Sequence, residues 1–225
     1  MKSVILPMSP TFLVLAIALF IVWTLLILLS RATRYEQLVM SLFGLIVSPA
    51  IILLAARTGT SGSRIVGMED FLFAFSFFGV ASVVYEAFFG KHFIHAHNKR
   101  NVKYPLLAWG SRLSLALGIW TLLSVLELFI FHLSLPRAMV SAALLVAVYV
   151  IAERKDLLTN ALVSGVFMAA LIFLCEEFFI VRLYPPLAAS GGMALSPDLI
   201  LWSAVVGFAI GPLYEYVRRM KMKGS

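Results

Sequence analysis

Six of the eleven acidic residues lie toward the predicted outer side of long apolar stretches, inside them or at their edges, where charged side chains are rare and costly. Two carboxyl groups held close together suit proton transfer, because one can hold a proton while the other accepts one. The adjacent pairs are therefore the candidate acid/base residues: Glu69 and Asp70, and Glu176 and Glu177. Glu127 and Asp198 are the other two acids of this group.

Aromatic residues crowd the same stretches. Phenylalanines follow the first acidic pair and surround the second, and a tryptophan follows Asp198. Aromatic faces stabilise cations, and an apolar pocket with few polar groups suits a reaction through a carbocation. We therefore expect a hydrophobic isoprenoid substrate, with these candidate binding residues: Phe73, Phe77, Glu127, Phe173, Asp198 and Trp202.

Each acid also has a purely structural interpretation. The pair Glu69 and Asp70, like Asp198, stands where a predicted helix begins, and acids there complement the helix dipole. The deeper acids Glu127, Glu176 and Glu177 can instead pair with arginines at the rim. The arginines within reach are Arg57, Arg64 and Arg182.

The elements that position these residues are predicted to be transmembrane helices. The chain has 225 residues, is 62% hydrophobic and has a mean hydropathy of +1.00, far more apolar than a soluble domain of this length. Apolar runs of roughly 20 residues match the thickness of a bilayer. They predict seven helical spans at 11–30, 36–56, 69–88, 112–133, 136–152, 159–181 and 197–217.

Basic residues predict the orientation of the spans. If the amino terminus is outside, 13 of the 18 Lys and Arg residues lie in inner segments. The five in outer segments are Lys2, Arg57, Arg64, Arg137 and Arg182. The distribution of basic residues thus predicts an outside amino terminus and an inside carboxyl terminus. It also accounts for the net charge of +7, so no nucleic-acid partner is expected.

A shift of 129 residues aligns two parts of the chain and maps spans one to three onto spans five to seven. It aligns Ser61-Gly62 with Ser190-Gly191, Glu69 with Asp198, Leu72 with Leu201, Phe73 with Trp202, and Tyr85-Glu86 with Tyr214-Glu215. We interpret this as a parallel repeat of 3+1+3 helices within a single membrane domain, residues 1–225. The halves are 8–90 and 135–220, and 110–134 is the linking helix. Glu69 and Glu86 are separated by about 25 Å at helical rise, so they cannot share one site.

Several classes of function are excluded. The chain has four histidines, too few for the histidine clusters of a membrane di-iron enzyme, and we expect no metal. All lysines lie outside the spans, which excludes a retinal Schiff base. No GxGxxG or P-loop motif is present, and no cofactor is expected.

The segment Gly67-Met68-Glu69-Asp70-Phe71-Leu72-Phe73 resembles the signature of the membrane-type lycopene cyclase domain family. That family has a Pro-x-Glu-Glu/Asp segment followed by Leu and Phe, duplicated in two three-helix halves. Gly67 replaces the proline here, and the second half, Ser196-Pro197-Asp198-Leu199, has its proline displaced by one residue and lacks one acid.

The resemblance implies a cofactor-independent isomerisation. An acid protonates the terminal double bond of lycopene, the resulting cation closes a ring, and a base removes a proton. Glu69 and Asp70 inherit the motif positions. The alternative is a small-molecule transporter or a non-catalytic protein that binds lipid or isoprenoid. In either case we expect a multi-pass protein of a prokaryotic plasma membrane; the sequence leaves the oligomeric state open.

Overall fold

The computed structural model describes residues 10–57, 67–89, 93–95, 105–175, 177–178, 197–218 and 220–222. These residues are almost entirely helical, which confirms the predicted all-α class. The helices are α1 (Pro10–Leu29), α2 (Arg34–Arg57), α3 (Met68–Phe89), α4 (Pro105–Ile130), α5 (Leu135–Glu153), α6 (Leu158–Cys175), α7 (Pro197–Ile210) and α8 (Leu213–Arg218). Counted with α7 and α8 as one interrupted helix, the described chain has seven helical segments.

Short elements flank these helices. A 3-10 turn, Lys155–Leu157, leads into α6, and strand β1 (Phe93–His95) pairs antiparallel with strand β2 (Met220–Met222). Helix α4 begins seven residues earlier than predicted, at Pro105, a residue favoured in the first turn because it lacks an N–H. Helix α6 ends as an α-helix at Cys175, and most of its predicted extension to 181 lies outside the described residues.

Five helical segments are long and apolar enough to cross a membrane: α1, α3, α4, α6 with its 3-10 turn, and α7 with α8. Large apolar side chains also cover the outside of the bundle, including Leu25 on α1, Leu122 on α4 and Val166 on α6. An apolar exterior of this kind needs lipid as its solvent. The helices therefore fit a multi-pass membrane protein.

Helix α3 lies at the centre of the bundle. It packs against α1, α2, α6 and α7, and nearly all of its length from Phe73 to Glu86 is buried. Helix α7 packs against α3, α5 and α6, while α4 lies at the side against α5 and α2. Phe73 contacts Trp202 near the start of α3 and α7, and Glu86 lies near Glu215 where α3 and α8 end. The central helices thus run side by side in the same direction.

The segment formed by α7 and α8 is interrupted at Gly211-Pro212, within the predicted span 197–217. Pro212 has no N–H to donate to the carbonyl of Phe208, and its ring clashes with that carbonyl in a continuous helix. The N–H of Gly211 still bonds to Gly207 O at 2.9 Å, and the helix resumes when Tyr216 N donates to Pro212 O at 3.0 Å. The interruption sets α8 apart as a separate short helix.

Glycines allow close approach at the two most extensive helix contacts, α2 with α3 and α6 with α7. A Cβ atom on Gly44 would lie 2.7 Å from Ala74 O and 2.6 Å from Phe78 Cγ. A Cβ atom on Gly165 would lie 2.8 Å from Ala204 O and 3.0 Å from Phe208 Cβ. In both contacts a glycine packs on an alanine and on the phenylalanine four residues later, which is the small-residue packing typical of membrane helices.

We predict that Gly44→Ala destabilises the protein, because the new methyl group overlaps the backbone of α3. The expected loss is about 1–3 kcal/mol, measured as a lower thermal unfolding midpoint in detergent. Gly118→Ala on α4 is the matched control, since no atom lies within 4 Å of its added Cβ. A midpoint for Gly44→Ala equal to or above that of Gly118→Ala would contradict the tight α2–α3 contact.

Candidate functional site

Asp70 caps the first turn of α3. Its Oδ2 atom accepts a hydrogen bond from Gly67 N at 3.0 Å, and its own N–H donates to Gly67 O at 3.2 Å. The bond from Gly67 N is one half of a capping box, in which an acid in the first turn binds back to the residue before the helix; Gly67 has no side chain to form the other half. Asp70 therefore stabilises the first turn of α3. The residue is only 5% exposed.

Glu69 lies beside it without such a bond. The side chain is 4% exposed, and its Oε2 atom has no hydrogen-bond partner among the described residues. The carboxyl group folds back over Gly67, so a Cβ atom at residue 67 would lie 2.2–2.5 Å from the carboxyl atoms of Glu69. Glycine at this position thus leaves room for the carboxyl group.

Three of the predicted substrate-binding residues form an aromatic cluster: Phe73 and Phe77 of α3, one and two turns after Glu69, and Trp202 of α7. The ring centroids of Phe73 and Phe77 are 5.6 Å apart, and Trp202 lies 5.9 Å from Phe73 and 4.9 Å from Phe77. Phe12 of α1 extends the cluster, 5.1 Å from Phe73. Since Trp202 belongs to α7, the cluster joins the two central helices.

The remaining predicted residues lie in different settings. Glu127 of α4 is half-buried and accepts a hydrogen bond from the Ser141 hydroxyl of α5. Phe173 is exposed on α6, and Glu177 is half-buried in a π turn. Glu176 lies outside the described residues, and so does the side chain of Asp198, whose backbone forms the first turn of α7. The convergence of the two acidic pairs therefore stays a prediction.

A second acidic site lies at the opposite end of α3. Carboxylate oxygens of Glu36, Glu86 and Glu215 lie within 4.8 Å of one another. Glu36 is in the first turn of α2, Glu86 in the last turn of α3 and Glu215 in α8. All three side chains are at most 6% exposed. We call this group the carboxylate triad.

Side chains from α6 and its flanks hold the triad in place. Asn160 Nδ2 donates to Glu215 Oε1 at 2.7 Å and to Gly211 O at 3.4 Å, and Ser164 Oγ donates to Asn160 Oδ1 at 3.1 Å. Arg154 Nη1 donates to the backbone oxygen of Glu215 at 3.3 Å. Asn160 of α6 thus bonds both to Gly211, where the helix is interrupted before α8, and to Glu215, whose carboxylate it orients.

The members of the triad were not among the predicted site residues, although the sequence alignment of the two halves marked two of them. Tyr85-Glu86 and Tyr214-Glu215 are the only acid-containing pairs that are identical in the aligned halves, and they mark two of its three members. Glu36 carried no such signal, because it follows Arg31 and Arg34 and fits an ordinary charged segment between two spans. The contact among the three required the packing of α2 and α8 on α3.

A lateral groove of about 620 Å³ opens between α4 and α5. Its walls are largely apolar, with Leu115 and Val146 among them, and its polar end holds Arg112, Glu153 and Arg154. Neither Glu69 nor the carboxylate triad lines it. The shape and the polar end suit an amphiphile with an acyl or isoprenyl chain.

The chain matches no protein-family model, no curated protein and no solved structure. The resemblance to lycopene cyclase domains thus rests on Gly67–Phe73 and on the aligned halves. The structural features that bear on function are the buried Glu69 with the aromatic cluster that follows it on α3, the carboxylate triad and the groove.

Proposed function

We propose that this protein is a multi-pass membrane enzyme of the lycopene cyclase type, which isomerises a carotenoid or related isoprenoid without a cofactor. The observation that carries the proposal is the position of Glu69. Glu69 is a buried residue with one carboxyl oxygen that has no hydrogen-bond partner among the described residues, and it precedes Phe73, the first ring of the aromatic cluster, by one helical turn. An acid and a cation-stabilising surface are the two parts that such a reaction requires.

In the proposed reaction, the Glu69 carboxyl group gives its proton to a terminal double bond of the polyene. The cation that forms on carbon is attacked by a neighbouring double bond, which closes a ring and moves the charge to a ring carbon. Phe73, Phe77 and Trp202 face the charge with their ring quadrupoles. A carboxylate then removes a proton from the ring, so that the product is an isomer of the substrate. Asp70 is the base in this proposal, with Glu176 and Glu177 as further candidates.

The proposal includes the finer architecture: seven crossings, an outside amino terminus and two parallel three-helix halves. The parallel course of α3 and α7 supports the repeat, as do the similar glycine contacts in the α2–α3 and α6–α7 pairs. The excess of Lys and Arg in alternate segments supports the orientation. In this arrangement Glu69 lies on the outer side of a prokaryotic plasma membrane and the carboxylate triad on the inner side.

A second candidate function is amphiphile binding without catalysis, and the groove between α4 and α5 favours it. Arg112 and Arg154 at its polar end suit an anionic head group, while the apolar walls suit the chain. This function requires neither Glu69 nor the aromatic cluster. Conversion of a polyene therefore separates the two candidates.

We predict that expression in lycopene-accumulating cells converts lycopene to a carotene with a terminal ring, and that Glu69→Gln abolishes the conversion because the amide cannot supply the proton. Pigment extracts are compared by chromatography at matched levels of membrane protein. Glu153→Gln is the control, since Glu153 is an exposed glutamate of α5. Unchanged lycopene with well-expressed wild-type protein would reject the cyclase function.

Substitution of Asp70 separates its capping role from a role as the base. Asp70→Asn keeps an oxygen that can accept the hydrogen bond from Gly67, so we expect an unchanged unfolding midpoint but a loss of conversion. Asp70→Ala removes the cap as well and should lower stability by about 1 kcal/mol. Full activity of Asp70→Asn would show that Asp70 is only a capping residue.

The aromatic cluster is tested at Trp202. We predict that Trp202→Leu, which keeps an apolar side chain but removes the ring, slows conversion roughly 2- to 30-fold, the equivalent of about 0.5–2 kcal/mol of cation stabilisation. Trp202→Phe should retain most of the activity because it restores an aromatic face. Equal rates for the two variants at equal expression would argue against stabilisation of a cation by this ring.

A further inference from the structure

The carboxylate triad brings together three acids from distant parts of the chain, in a region from which solvent is almost excluded. Residues 36, 86 and 215 lie on three different helices, and their oxygens are within 4.8 Å of one another. Like charges at this distance repel strongly in a buried setting, since little water screens them. The arrangement therefore requires positive charge, supplied by protons, by side chains or by an ion.

Two arginines carry positive charge toward the triad. Arg218 of α8 interacts electrostatically with Glu36, and it also donates to Tyr214 OH at 2.6 Å. Arg154 interacts electrostatically with Glu215 and forms an ion pair with Asp156.

Two oxygens of the triad are also left without a hydrogen bond. Glu36 Oε1 and Glu215 Oε2 are buried, and neither has a partner among the described residues. The other oxygen of Glu215 is held by Asn160, which fixes the orientation of the carboxylate. Buried acceptors that lack a donor are costly, and a bound cation satisfies such acceptors directly.

We propose that Glu36, Glu86 and Glu215 bind one hard divalent cation of the Ca²⁺, Mn²⁺ or Mg²⁺ class. The ligand atoms are all carboxylate oxygens, which hard cations prefer over softer metals. Two oxygens bound to opposite sides of a Ca²⁺ ion at 2.3–2.6 Å are about 4.6–5.2 Å apart, so carboxylate oxygens that all lie within 4.8 Å of one another can share one ion.

The proposed ion has a structural role. It joins α2 and α3 of the first half to α8 of the second half at one end of the bundle, while the aromatic cluster joins α3 to α7 at the other. Asn160 acts as a positioning residue, because it touches Glu215 rather than the ion. This site is independent of the proposed cyclase reaction, and either proposal can fail without the other.

Mn²⁺ is the probe for the test, because binding removes the paramagnetic resonance signal of the free aqueous ion. Titration of the purified full-length protein in detergent should show one bound Mn²⁺ per chain, displaced by Ca²⁺ or Mg²⁺. Glu215→Gln and Glu86→Gln should lose this binding, and Asn160→Ala should weaken it roughly 10- to 100-fold, as expected for a residue that orients a ligand. Gly118→Ala, whose added Cβ has no atom within 4 Å, should bind like the wild type.

Thermal unfolding with and without cation provides a second measurement on the same samples. In excess chelator, Glu215→Gln should be at least as stable as the wild type, because it removes a repelling charge. Added Ca²⁺ should raise the unfolding midpoint of the wild type but not that of the variant. If the wild type binds no Mn²⁺ beyond the level of Glu215→Gln and Ca²⁺ leaves its midpoint unchanged, protons neutralise the triad and the proposal is wrong.

Discussion

The contact of α3 with α7 and α8 determines what the bundle can do. Helix α3 is enclosed by α1, α2, α6 and α7, so polar groups along its buried length must find partners inside the protein. Both ends of the contact carry acids: Glu69 and Asp70 where α3 begins, and Glu86 against Glu215 where it ends. Because the two helices run in the same direction, each end combines groups from both halves of the chain.

The acids at the two ends of α3 differ in the groups that surround their carboxylates. Asp70 accepts a hydrogen bond from the backbone of Gly67, and one carboxyl oxygen of the buried Glu69 has no hydrogen-bond partner among the described residues. That combination suits a carboxyl group that exchanges a proton with an apolar substrate. In the triad, three carboxylates share a small space with an arginine and an asparagine nearby, which suits a permanently held positive charge. One end is thus suited to chemistry and the other to holding the bundle together.

Sequence alone predicted the parts of this structure that depend on length and hydropathy. Apolar runs of about 20 residues must be helical in lipid, and seven helical segments overlap the predicted ranges; five of them are long and apolar enough to cross a membrane. The alignment of Phe73 with Trp202 also indicated matching positions in the two halves, and these rings lie in contact. The interruption before α8 was not predicted, because the mean hydropathy of a whole span changes little when it contains one proline. Glu36 was missed because its role depends on which helix packs beside α2, and local sequence carries little information about that.

We propose that Glu69 protonates an apolar polyene within the bundle. Mass spectrometry can follow this proton: purified protein in detergent is equilibrated in D₂O and supplied with lycopene, and the products are analysed. We expect a ringed isomer that carries one deuterium for each ring closed, formed by the wild type and not by Glu69→Gln. A ringed product without deuterium, or the same labelled product from Glu69→Gln, would contradict it.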